Sequence, residues 1–324
     1  YEESVHIRET KLLAAEKGYN TLMASLRMPE PVEDKKVAIV GGGPTGIAAA
    51  YFLGREGVPT TIFERERKLG GVPRYVIPAF RISDEAIDKD VALMERYGVE
   101  VKLGKPAPSV EQLKKMGYTH ILMATGAWKP GKLDIEGNVQ GVIEWRKQMK
   151  KQGNTAMDAA RVAKRMGAHA TILYRRTKKF MPADEHELQL AIDEGVEFVE
   201  LAAPVKQSRG KLLCDKMILG EPDESGRRSP VKSGEQFTIP CDMVISAVGE
   251  QVDAELMAAN GIEMERKGPA FETNIPGVYC AGDAHRGPAT VVEGIADAAR
   301  FAEIVIGHPH IYDIPAEAHV TEFD

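Results

Sequence analysis

A strand, a glycine-rich turn, a helix and a second strand follow one another in residues 35–68, KKVAIVGGGPTGIAAAYFLGREGVPTTIFERERK. This order leaves little freedom in how the chain folds. Val37, Ala38, Ile39 and Val40 form an uninterrupted apolar run, as expected of a short strand buried on both faces. Gly41-x-Gly43-x-x-Gly46 follows, then a helix rich in Ala and Leu to about Gly54, closed by Gly57. The second strand ends at Glu64, 23 residues after Gly41. In that context the glycines predict a dinucleotide-binding turn. Gly41 permits the tight turn, Gly43 lets backbone approach a pyrophosphate, and Gly46 lets the helix pack close to the strand. The helix N-terminus offers N–H groups and positive potential to the phosphates. Glu64 can accept both hydroxyls of an adenosine ribose.

Much of the unit returns, without gaps, at an offset of 110 residues. Gly43 falls on Gly153, Thr45 on Thr155, Ala49-Ala50 on Ala159-Ala160, Gly57 on Gly167 and Thr61-Ile62 on Thr171-Ile172. GNTAMDAARVAKRMGAHATILYRR thus reads as a second helix-plus-strand nucleotide unit, with Ala156 in place of the third glycine. The repeat fails upstream, where residues 145–152 read WRKQMKKQ and contain neither apolar strand nor glycine. A parallel sheet without its first strand loses the element on which its neighbours bury their apolar faces. The expectation is that residues are missing from this sequence near 144–153.

The two units differ where they would meet a ribose. Glu64 in the first is answered by Tyr174 in the second, followed by Arg175 and Arg176. A carboxylate there repels a 2′-phosphate, whereas paired guanidiniums can grip one, so the second unit is predicted to take NADPH. Two further strands end in small residues. HILMATGA (120–127) closes on Thr125-Gly126 and DMVISAVGE (242–250) on Gly249, each letting backbone pass close to a nucleotide. In GVYCAGDAHRGPATVVEGIADAARFAEIVIG (277–307), a strand leads through Asp283 into a helix expected to begin near Pro288. Asp283 can bond a sugar or ribityl hydroxyl, and N–H groups around Ala289, Thr290 and Val291 can face a developing anion. The plainer reading makes Asp283 a turn residue and Thr290 a helix cap.

Composition narrows the class. A length of 324 residues predicts two domains, and 43% hydrophobic with 28% charged residues fits a water-soluble globular protein. A net charge of −6 argues against nucleic acid or an anionic membrane as partner. No apolar run approaches the roughly 18–20 residues that span a bilayer. No basic-then-apolar leader opens the chain. Cys214, Cys241 and Cys280 are too scattered for a disulfide framework or a cysteine-based metal site, so a reduced cytoplasmic setting is expected. His308, His310 and His319 are spaced too loosely for a metal site and read as a surface tail. Residues 1–28 read as helical with a break near Gly18, residues 28–36 as a linker, and residues 220–236 as an exposed hairpin or loop. Because the chain opens on Tyr1, it is expected to be part of a longer polypeptide.

GGGPTG, GGVPRYVIPAFRI (70–82), ATGAWKPGKL (124–133), GNTAMDAAR, YRRTKKFMPA (174–183) and AGDAHRGPATVVEGIADA (281–298) occur in this order. Together they resemble the flavin module of the glutamate synthase small subunit and dihydropyrimidine dehydrogenase family. Within that family they look most like the flavoprotein subunit of bacterial selenate reductases. The resemblance covers residues 4 to 307 and implies an α/β fold of two nested Rossmann-like dinucleotide-binding domains after a short helical segment. An FAD domain (32–136 and 251–324) would carry an inserted NADPH domain (137–250), and residues 1–31 would be the tail of an upstream iron–sulfur domain. By position, Gly41, Gly43, Pro44, Gly46 and Glu64 would hold the FAD pyrophosphate and ribose, with Gly71, Arg74, Thr125 and Gly126 lining the same site. Gly282 and Asp283 would meet the ribityl chain, and Ala289, Thr290 and Val291 the flavin ring. Asn154, Thr155, Ala156, Arg175, Arg176 and Gly249 would hold NADPH. No metal ligand and no acid–base catalyst is implied, because the cofactors make and break the bonds. Electrons would pass to an iron–sulfur domain or subunit of a larger complex, with 4Fe-4S clusters outside this chain.

Two other readings remain open at this level. A disulfide reductase of the thioredoxin-reductase type shares the plan but needs a cysteine pair beside the flavin, and none occurs. A non-catalytic module could instead bind FAD as structural support, which the incomplete second unit favours.

Overall fold

The structure, a computed structural model, describes residues 6–131, 133–142, 144–145, 156–181, 185–222, 228–263 and 271–308. With strands numbered in chain order, the main sheet contains β1 (Val37–Val40), β2 (Thr60–Glu64), β3 (Glu100–Leu103), β4 (His120–Met123) and β14 (Val278–Cys280). All pairs are parallel and the spatial order is β14-β4-β1-β2-β3. β1 sits at the centre with all four residues buried, which is why it reads as a continuous apolar run. Its side chains alternate between two cores. Val37 and Ile39 pack under the helices Pro44–Arg55 and Val291–Ile306, against Leu53, Ala298 and Phe301. Ala38 and Val40 pack on the opposite face with Val110, Leu113 and Met257. Two helical layers thus sandwich one sheet, and the C-terminal ends of β1, β4 and β14 open on the same edge.

The second unit is built differently. β7 (Thr171–Tyr174) pairs in parallel with β8 (Glu197–Glu200), and β6 (Val139–Gly141) with β12 (Val244–Ser246). These are two separate two-stranded sheets. Under the 110-residue repeat, β7 answers to β2. By chain order the parallel pair β7-β8 then corresponds to β2-β3, and β12, which ends in small residues as β4 does, to β4. Among the described residues no strand joins the two pairs. The counterpart of β1, and the expected break at 144–153, fall largely on residues outside the described ones. β9 (Ala202–Ser208), β10 (Lys211–Pro222) and β11 (Arg228–Pro240) form an antiparallel sheet, so the hairpin expected near 220–236 is the tip of a longer one. β5 (Lys129–Pro130) and β13 (Glu250–Gln251) pair antiparallel where the chain leaves the first unit and returns to it.

The expected break at Gly18 does not occur. One helix runs from Ile7 to Ser25, because glycine in a helix costs about 1 kcal/mol against alanine, too little to interrupt 19 residues.

Segment 72–82 straps the units together. Val72, Tyr75 and Val76 pack with Trp128, Val142, Trp145, Ala159 and Val162. Arg81 donates from Nε to buried Asp158 (2.8 Å) and from Nη1 to Glu187 (2.7 Å). The Phe80 ring lies under the guanidiniums of Arg161 (4.8 Å) and Arg165 (4.2 Å). Glu194 accepts from both arginines, at 2.6 Å from each Nη2. Arg165 first and Arg161 with it hold the Glu194 carboxyl down to about 2 from an ordinary 4.5, against the opposing pull of burial. Its folded-state pKa is depressed, so its stabilisation is present above pH 4.5 and lost as the pH falls to about 2. Glu194→Gln is expected to cost about 2 kcal/mol at neutral pH, discounted because water reaches a quarter-exposed carboxylate. The gap to the native chain should close near pH 2; urea midpoints showing the same gap at both pH values would refute this.

Candidate functional site

Four segments of the first unit converge at the C-terminal edge of the main sheet, and their glycines show how tightly. A Cβ on Gly41 would lie 2.3 Å from the Ala124 carbonyl oxygen, and one on Gly46 2.0 Å from that of Gly41. A Cβ on Gly71 would lie 2.7 Å from Gly43 Cα, and Gly70 N–H donates to the Gly42 carbonyl (2.7 Å). Cβ atoms on Gly282 and Gly294 would lie 2.3 and 2.6 Å from Thr45 Oγ1. The turn 41–43, the loop 70–71, the end of β4 and the loop after β14 therefore form one continuous backbone cradle at the start of the helix Pro44–Arg55. Pro44 occupies the first helical position, where its missing N–H costs nothing.

Two buried side-chain atoms at the cradle meet no hydrogen-bond partner, Thr125 Oγ1 and Arg74 Nη1, and only the second has an ion-pair neighbour, Asp84. Thr125 Oγ1 is buried and meets no hydrogen-bond partner, while neighbouring Gly126 takes φ +68°. An orphaned buried hydroxyl costs about 1–3 kcal/mol, so its place beside Gly41 fits a polar ligand laid across the glycine turn.

Other expected ligand groups are engaged within the protein. Both oxygens of buried Glu64 accept backbone N–H groups, from Gly42 (2.7 Å) and Glu66 (2.8 Å). The carboxylate thereby closes the glycine turn itself, and its remaining lone pairs are what it can offer a ribose. Arg74 donates to the Leu69 carbonyl and to Asp88, and lies 3.2 Å from Asp84. Its side chain is 4% exposed, so it braces the 70–71 loop instead of reaching across it. The helix expected near Pro288 begins at Val291 with Thr290 as its cap in a capping box with Glu293. Two of the three amides expected to be open are occupied: Ala289 N–H donates to Asp283 (3.1 Å) and Thr290 N–H to Glu293 (2.9 Å). Asp283 is both turn residue and acceptor, and burial pushes its carboxyl above the usual range while the Ala289 amide pulls it back.

In the second unit, Ala156 opens the helix Ala156–Arg165, whereas Asn154 and Thr155 lie outside the described residues. Tyr174 ends β7 and leads into exposed Arg175 and half-buried Arg176. Arg176 Nε is buried with no hydrogen-bond partner, while its carbonyl accepts from Leu201 N–H. Gly249 takes φ +98°, and its carbonyl accepts from Gly131 N–H (2.7 Å). All three cysteines are free, and burial pushes Cys214 up to about 11 and Cys280 to about 12. Burial raises Cys241 as well, so none of the three is favoured as a thiolate.

Sequence reasoning missed Thr45, which plugs the notch between Gly282 and Gly294, and the Arg81–Asp158 tie. Asp158 carried a signal: an acidic residue on the same helical face as Arg161 and Val162 is a candidate for burial with a partner.

Residues 35–298 match the family described as pyridine nucleotide-disulphide oxidoreductase. The chain belongs to this family. Among its relatives, YgfK of Escherichia coli is 37% identical over 338 residues, spanning 96% of this chain and 33% of that protein. The glutamate synthase [NADPH] small chain of Escherichia coli is 30% identical over 318 residues, 83% of this chain and 67% of that one, in agreement with the resemblance carried by the motifs. The chain thus covers a third of the length of the first relative. Because 338 aligned positions exceed what 324 residues supply, YgfK carries residues with no counterpart here. Among solved structures, FprA from Mycobacterium tuberculosis superposes with a TM-score of 0.71 at 16% identity over 84% of each chain, which shows the shared fold. Among the described residues no helix is long and apolar enough to cross a membrane.

Proposed function

We propose that this chain is a flavoprotein oxidoreductase module that passes a hydride from NADPH to FAD and electrons onward to an iron–sulfur centre or partner subunit. The observation that carries it is the closed glycine cradle with the buried, unpartnered Thr125 hydroxyl at its wall. Gly41, Gly43, Pro44 and Gly46 would carry the FAD pyrophosphate at the head of the helix Pro44–Arg55, Glu64 the ribose, and Asp283 the ribityl chain. Bound FAD would supply the acceptor for one hydride and a donor of single electrons. The chain's own groups bind and orient, and the open amides at Val291 and Val292 offer positive potential to negative charge near them.

NADPH is assigned to the second unit on Arg175 and Arg176, where a buried guanidinium nitrogen lacks a partner. The domain boundaries 32–136 with 251–324, and 137–250, are supported by the β5–β13 pairing, which brings both crossings side by side. The small chain named for NADPH among its relatives agrees with the cofactor choice. The iron–sulfur partner, its 4Fe-4S clusters and the larger complex rest on the family resemblance and on the longer relatives. A second reading, an FAD-binding module without nicotinamide chemistry, is favoured by the two strand pairs of the second unit, which no strand among the described residues joins.

Stopped-flow mixing separates the two. The FAD-loaded chain is expected to bleach on adding NADPH, at least tenfold faster than with NADH, and Arg175→Glu is expected to erase that preference. An unchanged visible spectrum would favour the second reading. Bleaching with NADPH still preferred by Arg175→Glu would remove the arginine assignment alone.

A further inference from the structure

The carboxylate of Asp297, on the helix Val291–Ile306, is 2% exposed and makes three bonds, all directed at one corner of the cradle. Oδ2 accepts from the backbone N–H of Gly282 (2.9 Å) and from Arg286 Nε (3.1 Å), and Oδ1 pairs with Arg286 Nη2. Gly282 immediately precedes Asp283 and takes φ +65°, a conformation open to glycine and strained for any other residue. From its other nitrogen, Nη1, Arg286 reaches Glu293 Oε1 at 3.3 Å. Glu293 in turn receives Thr290 N–H at 2.9 Å and Thr290 Oγ1 at 2.8 Å. One chain of contacts, Asp297–Arg286–Glu293–Thr290, therefore ties the loop after β14 to the first turn of the following helix.

Two consequences follow for the edge where Asp283 and Val291 stand. Glu293 and Asp283 occupy the amides of Thr290 and Ala289, so the open amides of this helix start are those of Val291 and Val292. Their direction depends on where Arg286 holds Glu293. The height of Asp283 above the glycine turn depends on Gly282, which Asp297 grips from behind and Thr45 from the front.

We propose that Asp297, acting through Arg286 and Gly282, is a positioning residue that fixes the flavin-facing edge of the site. The proposal rests on the FAD reading above. Asp297 is buried while the Arg286 side chain is 33% exposed, and a pair so open to water adds little to folding beyond its hydrogen bonds. A purely structural pair would show its loss in the melting temperature. A positioning pair shows it in the ligand.

The test compares the native chain, Asp297→Asn, and the double variant Asp297→Leu with Arg286→Leu, all loaded with FAD. The dissociation constant is read from flavin fluorescence, alongside the visible band of bound FAD, its midpoint potential and the melting temperature. The asparagine keeps an acceptor for Gly282 but gives up the charged grip on Arg286. It is expected to raise the FAD dissociation constant at least tenfold, shift the flavin band and move the midpoint potential. The leucine pair, which leaves the Gly282 N–H without its acceptor, is expected to melt somewhat below the native temperature and to bind FAD at least tenfold more weakly. Native affinity, spectrum and potential in both variants would overturn the proposal, whatever happened to the melting temperature. A native chain that takes up no FAD would overturn the FAD reading and this inference with it, a result distinct from variants that bind as well as the native chain.

Discussion

Gly46→Val is expected to yield a chain that no longer takes up FAD. The α-hydrogen side of Gly46 faces the Gly41 carbonyl, and even a Cβ there would lie 2.0 Å from that oxygen. The atom in the way is backbone in the middle of the turn, so no rotamer relieves the overlap. Either the helix Pro44–Arg55 backs away from β1 or the glycine turn opens, and both displace the amides that would face the pyrophosphate. Overpacking of this kind costs about 1–3 kcal/mol where neighbours can move and more where they cannot. Its effect on binding should exceed its effect on folding, because the main sheet keeps its other contacts. The measurement is flavin absorbance per mole of purified protein, with a urea midpoint to confirm folding. A folded Gly46→Val protein carrying a full complement of FAD would show that the cradle does not hold the cofactor.

The second large effect concerns the incomplete nucleotide unit. Placing a strand and glycine turn of the Val37–Gly42 type directly before Gly153 is expected to strengthen NADPH binding at least tenfold and to raise the melting temperature of the second unit. β12-β6 and β7-β8 are two parallel pairs that no strand among the described residues joins, whereas in the first unit β1 joins β4 to β2. A central strand would give β12 and β7 a shared ladder partner. A glycine turn after it would bring N–H groups to the head of the helix Ala156–Arg165, next to the arginines that end β7. The relatives' extra aligned residues support the same reading. Calorimetric titration with NADPH decides it. If the chain as it stands binds NADPH tightly, and the insertion improves neither affinity nor melting, nothing is missing and the second unit works by another arrangement.

The parts of this protein legible in its sequence are those set by local rules. β1 is recognisable because a central parallel strand must be apolar at every residue, and the glycine spacing because Gly46 answers a contact with Gly41 within its own turn. The contrast between Glu64 and Arg175-Arg176 needed only a repeat to align them. Tertiary structure decided which polar groups remain open to a ligand. Arg74 looked like a ligand group and is turned to Asp84, Asp88 and Leu69; the amides of Ala289 and Thr290 looked open and are held by Asp283 and Glu293. Asp297, Arg286 and Arg81 sit in the sequence as ordinary charged residues. They acquire meaning only when the loop after β14 folds against its helix and when the strap 72–82 crosses to the second unit. The physical reason is range. A turn's glycines and a strand's burial are constrained by neighbours in the chain, whereas the partner of a buried charge is chosen by the packing that excludes water from it.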